Sequence, residues 1–322
     1  YLTNNNHREN PPEKTNIMKT IKKMMLLMAV FTTVLTSCVK NETSELTQKA
    51  TWNVQFVETE EKPLPDLTEN LSVNWNLVDA ETCEVVATNI KTRSSGISNL
   101  NTYKENISLP VYTDKTYHLI YWLQSENEVA YKFDNLTKIK IDYTCPTRKG
   151  ALCGVVKHLS YLDDDISINL ASPFSEVNIY TEKKDIDIAN EIYGKLENYS
   201  YTMTVNNIMD TYYPLEPEKS FEHRNSVVIT RNNRNISKEK TRNGNLYNNI
   251  ISESFLTEWK QLINTDISIH SEMMEPIKFK IDNIPVEQNK NTSVMGRFLT
   301  KKVTFNPIVN PYFEHSANLN FN

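Results

Sequence analysis

Leu35-Thr36-Ser37-Cys38 is the stretch of the chain whose residue types and spacing spell out a reaction. A cysteine thiol behind small residues is what a lipoprotein signal peptidase accepts: the sulfur takes a diacylglyceryl group through a thioether, and the chain is cut before it. The elements upstream have the order such a signal needs. Lys19, Lys22 and Lys23 form a basic head, and Met24 to Leu35 is an apolar run of about 12 residues, short of the roughly 20 that span a bilayer. The run therefore reads as an export address, with Cys38 as the lipid attachment site and first residue of the mature chain. Two or more acyl chains, at about 0.8 kcal/mol per buried methylene, hold such a protein on a membrane almost permanently.

Other reactive residue types occur without the company that chemistry requires. There is no His-Glu-x-x-His, no Gly-x-Ser-x-Gly and no phosphate loop, and the six glycines stand singly. His118, His158, His223, His270 and His315 have no metal-ligand spacing. Asp163-Asp164-Asp165 lacks the calcium-loop pattern and reads as a solvated turn before a strand at Ile166. A carboxylate pair for sugar hydrolysis would leave no mark in sequence. The expectation is a protein that is not an enzyme, with no metal and no cofactor. Of the cysteines beyond Cys38, Cys83 stands apart, while Cys145 and Cys153 flank a short loop; a disulfide between those two and a pair of idle thiols are both open.

These residues sit in an organised chain. Residues 1–17 are polar, precede Met18 and read as a spurious upstream extension; 18–37 form the signal peptide and 38–49 a polar tether. Cutting after Ser37 leaves about 285 residues, natural for two domains. It also removes five basic side chains and two acids, moving the formal net charge from −5 to −8. An acidic chain without a basic stripe is a poor nucleic-acid binder.

Alternation with period two recurs from there on. Leu71, Val73, Trp75 and Leu77 alternate with Ser72, Asn74 and Asn76; Ile139, Ile141 and Tyr143 with lysines and Asp142; Ile166, Ile168 and Leu170 with Ser167 and Asn169. Tyr199, Tyr201, Met203 and Val205, then Ile277, Phe279 and Ile281, then Val303 and Phe305, continue the pattern. Lys115–Leu123 is apolar on both faces and belongs in the centre of a sandwich or under another chain. One helix is expected from Asp185 to about Lys195, with Ile188, Ile192 and Leu196 at helical spacing. Pro214–Asn249 reads as long exposed loops with Arg231, Arg234 and Arg242 open to proteases. The fold class is all-β and antiparallel.

Three passages carry a family likeness: KTYHLIYWLQSENEVAYKFDNLTKIKIDY, ISINLASPFSEVNIYTEKKD and NKNTSVMGRFLTKKVTFNPIVNPYF. With the lipobox and tether they resemble the fimbrillin-like lipoproteins of Bacteroidales, over about residues 50 to 315. The resemblance implies two tandem transthyretin-like antiparallel β-sandwich domains, 50–164 and 165–322, with one short helix in the second. It implies an outer-membrane, lipid-anchored place at the cell surface, as fimbrial subunit, anchor, tip or adhesin. Partners would be the membrane, other fimbrial subunits joined by strand exchange, and a host or glycan receptor; Arg93 would be the maturation cut of a polymerising member, or an ordinary loop arginine. The alternative is a glycan-binding surface lipoprotein of a polysaccharide-uptake system, with Trp52, Trp75, Trp122 and Trp259 as stacking candidates.

Overall fold

The structure is a computed structural model that describes residues 46–58, 70–90, 99–146, 148, 150–196, 198–242, 244–271, 275–300 and 306–310. Backbone contacts divide the chain into two units, and the strands and cores below, except the end residues Thr47 and Tyr112, belong to the larger, Gln48–Val111 with Lys115–Asn322.

Strand β1 (Thr47–Val57) buries Trp52, Val54 and Phe56 and exposes Thr51, Asn53 and Gln55, because alternate side chains of a strand leave on opposite faces. It is followed by β2 (Leu71–Asp79), β3 (Val85–Asn89), β4 (Lys104–Tyr112), β5 (Tyr117–Ser125), β6 (Tyr131–Lys132), β7 (Ile139–Ile141), β8 (Ala151–Leu159) and β9 (Asp165–Asn169). A sheet of order β4-β1-β9 and a sheet of order β3-β2-β5-β8 supply one continuous core that includes Trp52, Leu77, Leu119, Tyr121, Leu123 and Ile168.

The rest of the chain contributes β10 (Phe174–Glu182), α1 (Lys183–Tyr193), β11 (Tyr199–Met209), β12 (Thr211–Tyr212), β13 (Arg224–Arg234), β14 (Ser237–Arg242) and β15 (Asn245–Leu256). It ends with β16 (Lys260–His270), β17 (Ile277–Glu287), β18 (Asn291–Gly296) and β19 (Asn306–Asn310). Their sheets run β14-β15-β10-β18-β19 and β13-β11-β16-β17, and a small sheet of order β12-β7-β6 joins one strand of this half to two of the first. The protein is an all-β sandwich fold with a single long helix among the described residues.

Strand β5 is what the two-sided apolar run led one to expect. Tyr117, Leu119, Tyr121 and Leu123 point into the first core, while Ile120 and Trp122 point into the second. The Trp122 ring lies 5.3 Å from Tyr131, 6.2 Å from Tyr212 and 6.5 Å from Phe174, so residues of both halves close around it.

Several expectations are corrected. The polar side of β2 is not solvated: Ser72, Asn74 and Asn76 are buried. Asn76 donates to Thr88 Oγ1 at 2.6 Å and to the Trp75 carbonyl at 3.0 Å, and it accepts from the Leu136 amide at 2.5 Å, so the burial is compensated. The sheets are not purely antiparallel, because β1 pairs with β9 and β10 with β18 in parallel. β9 hydrogen-bonds to β1, so the strand at 165–169 lies in the β4-β1-β9 sheet. The helix turns a different face inward, burying Asp185, Ile186 and Ala189 and leaving Ile192 exposed. The cause is the Asp185 carboxylate, which accepts from the Leu299 and Thr300 amides at 2.8 and 3.2 Å and from Thr181 Oγ1 at 2.7 Å. Pro214–Asn249 is mostly strand, in β13, β14 and β15, and some of its polar residues, Arg231, Asn248 and Asn249, are buried. Val303 and Phe305 lie outside the described residues.

The turn from β2 to β3 hangs on Asp79. Its Oδ1 accepts the Glu81 and Thr82 amides at 2.9 and 3.0 Å and its Oδ2 meets Lys115 Nζ at 3.0 Å. These bonds, the Thr82 amide foremost, hold its pKa down at about 2 against an ordinary 3.8. A depressed carboxyl contributes stability that is full above its unfolded value and is lost as pH falls through the folded one. Asp79→Asn is therefore expected to cost about 1–3 kcal/mol in urea unfolding at neutral pH, with the gap to wild type closing as pH falls from about 4 towards 2.

Candidate functional site

Cys38, with Leu35, Thr36 and Ser37, and the loop arginine Arg93 lie outside the described residues. Cys145 and Cys153 carry no disulfide in this structure. Cys153 is instead a core residue of β8, and burial pushes its thiol up to about 12. Asp163 serves a turn, accepting the Ser160 amide at 2.7 Å. Trp52, Trp75 and Trp122 are core side chains and Trp259 is exposed.

What the fold offers to a partner is its sheet ends. Natural edge strands are blunted by proline, by charge or by bulges, since their free amides and carbonyls otherwise pair with another chain. β4 and β17 carry Pro110 and Pro285, and β14 carries Lys240 and Arg242. β13 and β3 differ: each pairs on one side, with β11 and β2, and neither the β13 segment Asn225 to Thr230 nor β3 holds proline or charge. Val228 on this edge is 51% exposed.

A groove of about 610 Å³ runs beside this edge, with β13 on one wall and β6 and β7 on another. Ile141, Tyr143 and Val227 give it apolar lining, and Lys132, Asp142, Asp210 and Asn225 give it polar groups. These are already oriented: Lys132 Nζ lies 3.0 Å from Asp142 Oδ2, and Asn225 Nδ2 donates to Asp210 Oδ2 at 2.6 Å. The Thr144 hydroxyl, followed by Lys132, holds the Asp142 carboxyl below its ordinary pKa and thus ionised. The groove can accept extended backbone against β13 and apolar side chains against its lining.

The wall is locked by a buried charge cluster that sequence reasoning missed. Glu253 on β15 accepts from Tyr201 Oη at 2.7 Å and from Arg231 through Nε at 2.8 Å and Nη2 at 2.9 Å. Arg148 approaches the same carboxylate at 3.6 Å, donates through Nη1 to Ser254 Oγ at 2.9 Å, and lies 4.8 Å from the Tyr143 ring. Burial, then the Glu253 charge, push the Tyr201 hydroxyl well above its ordinary pKa, which keeps it a donor. Tyr143 completes the tie, donating to the Met209 carbonyl at 2.8 Å and accepting from the Leu256 amide at 2.9 Å. Arg231, expected to be open to proteases, is 6% exposed because this pairing holds it inside. The only trace in sequence is its parity with Val227 and Ile229 in one alternating strand.

The model of a family of unknown function, DUF6562, matches residues 77–321. No curated protein matches the chain. Among solved structures, a candidate adhesin from Bacteroides thetaiotaomicron is similar at a TM-score of 0.49 and 12% identity, over 83% of this chain and 98% of that one. The fimbrial anchor protein Mfa2 from Porphyromonas gingivalis is similar at 0.45 and 11% identity, over 82% of this chain and 98% of that one.

Removing one partner of a buried ion pair leaves the others uncompensated. Glu253→Ala is expected to lower stability by about 3–5 kcal/mol and Arg234→Ala, an exposed arginine on β13 with Arg231, by under about 0.5 kcal/mol, both read from urea unfolding curves.

Proposed function

Taking as premise that the chain belongs to the DUF6562 family, we propose that it is a lipid-anchored outer-membrane protein displayed at the cell surface, acting without catalysis in fimbrial assembly, fimbrial anchoring or adhesion. The lipobox ending at Cys38 supports the anchor, and the likeness to fimbrillin-like lipoproteins supports the role. The observation that carries the reading is β13, an edge strand whose Asn225 to Thr230 segment holds neither proline nor charge and lines a groove. Such an edge is where a strand from a neighbouring subunit adds, its backbone pairing with β13 and its alternate side chains entering the groove. The second contribution comes from the C-terminal side. β19 lies at the end of its sheet, pairing with β18 alone, and in this reading it is the strand a subunit can exchange.

Strand-exchanged subunits survive detergent and separate on heating. Membrane fractions of cells expressing the chain from Met18 are expected to give a ladder on unheated gels that collapses to one band when heated. Val228→Lys, which places on β13 the charge that protects other edges, is expected to leave the thermal midpoint within about 2 °C of wild type and to remove the ladder. A chain that stays monomeric unheated, or a ladder unchanged in Val228→Lys, contradicts assembly through this edge.

A further inference from the structure

Trp259 departs from the other tryptophans: Trp52, Trp75 and Trp122 are 0%, 6% and 0% exposed, and Trp259 is 64% exposed. It sits in the tight connection between β15 and β16, next in the chain to Glu258, whose carboxylate pairs with Arg224 of β13. We propose that this corner is a binding site for a neutral glycan, in which the Trp259 indole stacks on the apolar face of a pyranose ring. The inference rests on the surface-adhesion reading above and names the ligand class that such a protein would grip.

A sugar ring presents carbon–hydrogen bonds on its faces and hydroxyls around its edge. It therefore needs a flat apolar surface ringed by groups that both donate and accept. The corner has both. Arg224 pairs with the Glu258 carboxylate, donates through Nη1 to Asn207 Oδ1 at 3.3 Å, and lies 5.6 Å from the Phe221 ring, itself 36% exposed. Gln261 accepts the Glu258 amide at 3.3 Å and donates to the Asn207 carbonyl at 3.3 Å. Four polar side chains are thus held around the turn that carries the indole, so little side-chain entropy remains to be lost when hydroxyls bind.

Charge selects among ligands. Arg224 is matched by Glu258, and Lys260 lies 3.7 Å from Glu287 on the adjoining strand. Lys290 shares Glu287 with Lys260, so these groups leave an excess of one positive charge, a weak field for a nucleic acid, an anionic lipid surface or a sulfated chain.

The test uses the complete mature chain from Cys38 with the lipid omitted, titrated with neutral oligosaccharides of β-1,4-glucan, β-1,3-glucan and α-mannan and, in parallel, with polygalacturonate and heparin. Trp259 is the exposed indole, so tryptophan emission is expected to change saturably with at least one neutral oligosaccharide. Trp259→Ala is expected to weaken that binding at least about tenfold with an unchanged thermal midpoint, and Trp259→Phe to retain part of it. Absence of saturable binding across the neutral panel, binding confined to the anionic polymers, binding that survives Trp259→Ala, or a ligand that proves to be protein alone overturns the proposal. Because the titration is made on purified soluble protein, its failure is separate from failure of the surface reading, which depends on lipidation and display in cells.

Discussion

Everything in the fold is arranged around a strand that has no solvent side. β5 carries five aromatic or large aliphatic residues in a row, from Leu119 to Leu123, and each is fully buried. A strand with two apolar faces needs a layer on each, and apolar burial stabilises by roughly 25 cal/mol for each Å² removed from water. The β4-β1-β9 sheet covers one face; β6, β7 and the strands after β9 cover the other. The two cores therefore share a wall, and opening either one wets that wall.

The shared wall also explains the buried polar groups. Asn76 and its neighbours on β2 lie on the same sheet as β5, so whatever covers β5 covers them as well, and each must find partners inside. Glu253, Arg231 and Arg148 solve a similar problem further along. Ion pairs of this kind add little net stability, yet they tolerate few arrangements, and here they fix the register of β13 and β15 and seat the segment before β8. Rigid walls leave the edges as the places where the molecule can still gain hydrogen bonds. β13 is open at its centre, and its Arg224 end carries the pairing with Glu258 that frames Trp259.

How far this was readable from sequence depends on whether a residue's surroundings are set locally. Period-two alternation in β7, β9, β11 and β17 marks strands because one face meets a core and the other meets water. The all-apolar run of β5 gave away its double burial for the same reason. β2 looked half-exposed because Ser72, Asn74 and Asn76 are polar, and nothing local records that Thr88 and Leu136 come to satisfy Asn76. The helix starts within a turn of where its spacing puts it, but its inner face differs because Asp185 is held by amides more than a hundred residues away. In β13 the asparagines and arginines read as loop, although Arg231 is ordered by a carboxylate on β15. Of the site itself, Trp259 was visible as a stacking candidate, while the groove at β13 depends on tertiary neighbours that no spacing encodes.

If this fold works outside the cell on a lipid tether, intact cells should yield it to a protease they do not admit. Intact cells would be treated with trypsin, and the membrane-retained N-terminus then identified by mass analysis. The reading developed above expects the β body to be released from unlysed cells while a diacylglyceryl-modified Cys38 peptide stays in the membrane. A chain that resists trypsin until the cells are broken, or an N-terminus that carries no lipid at Cys38, would contradict it.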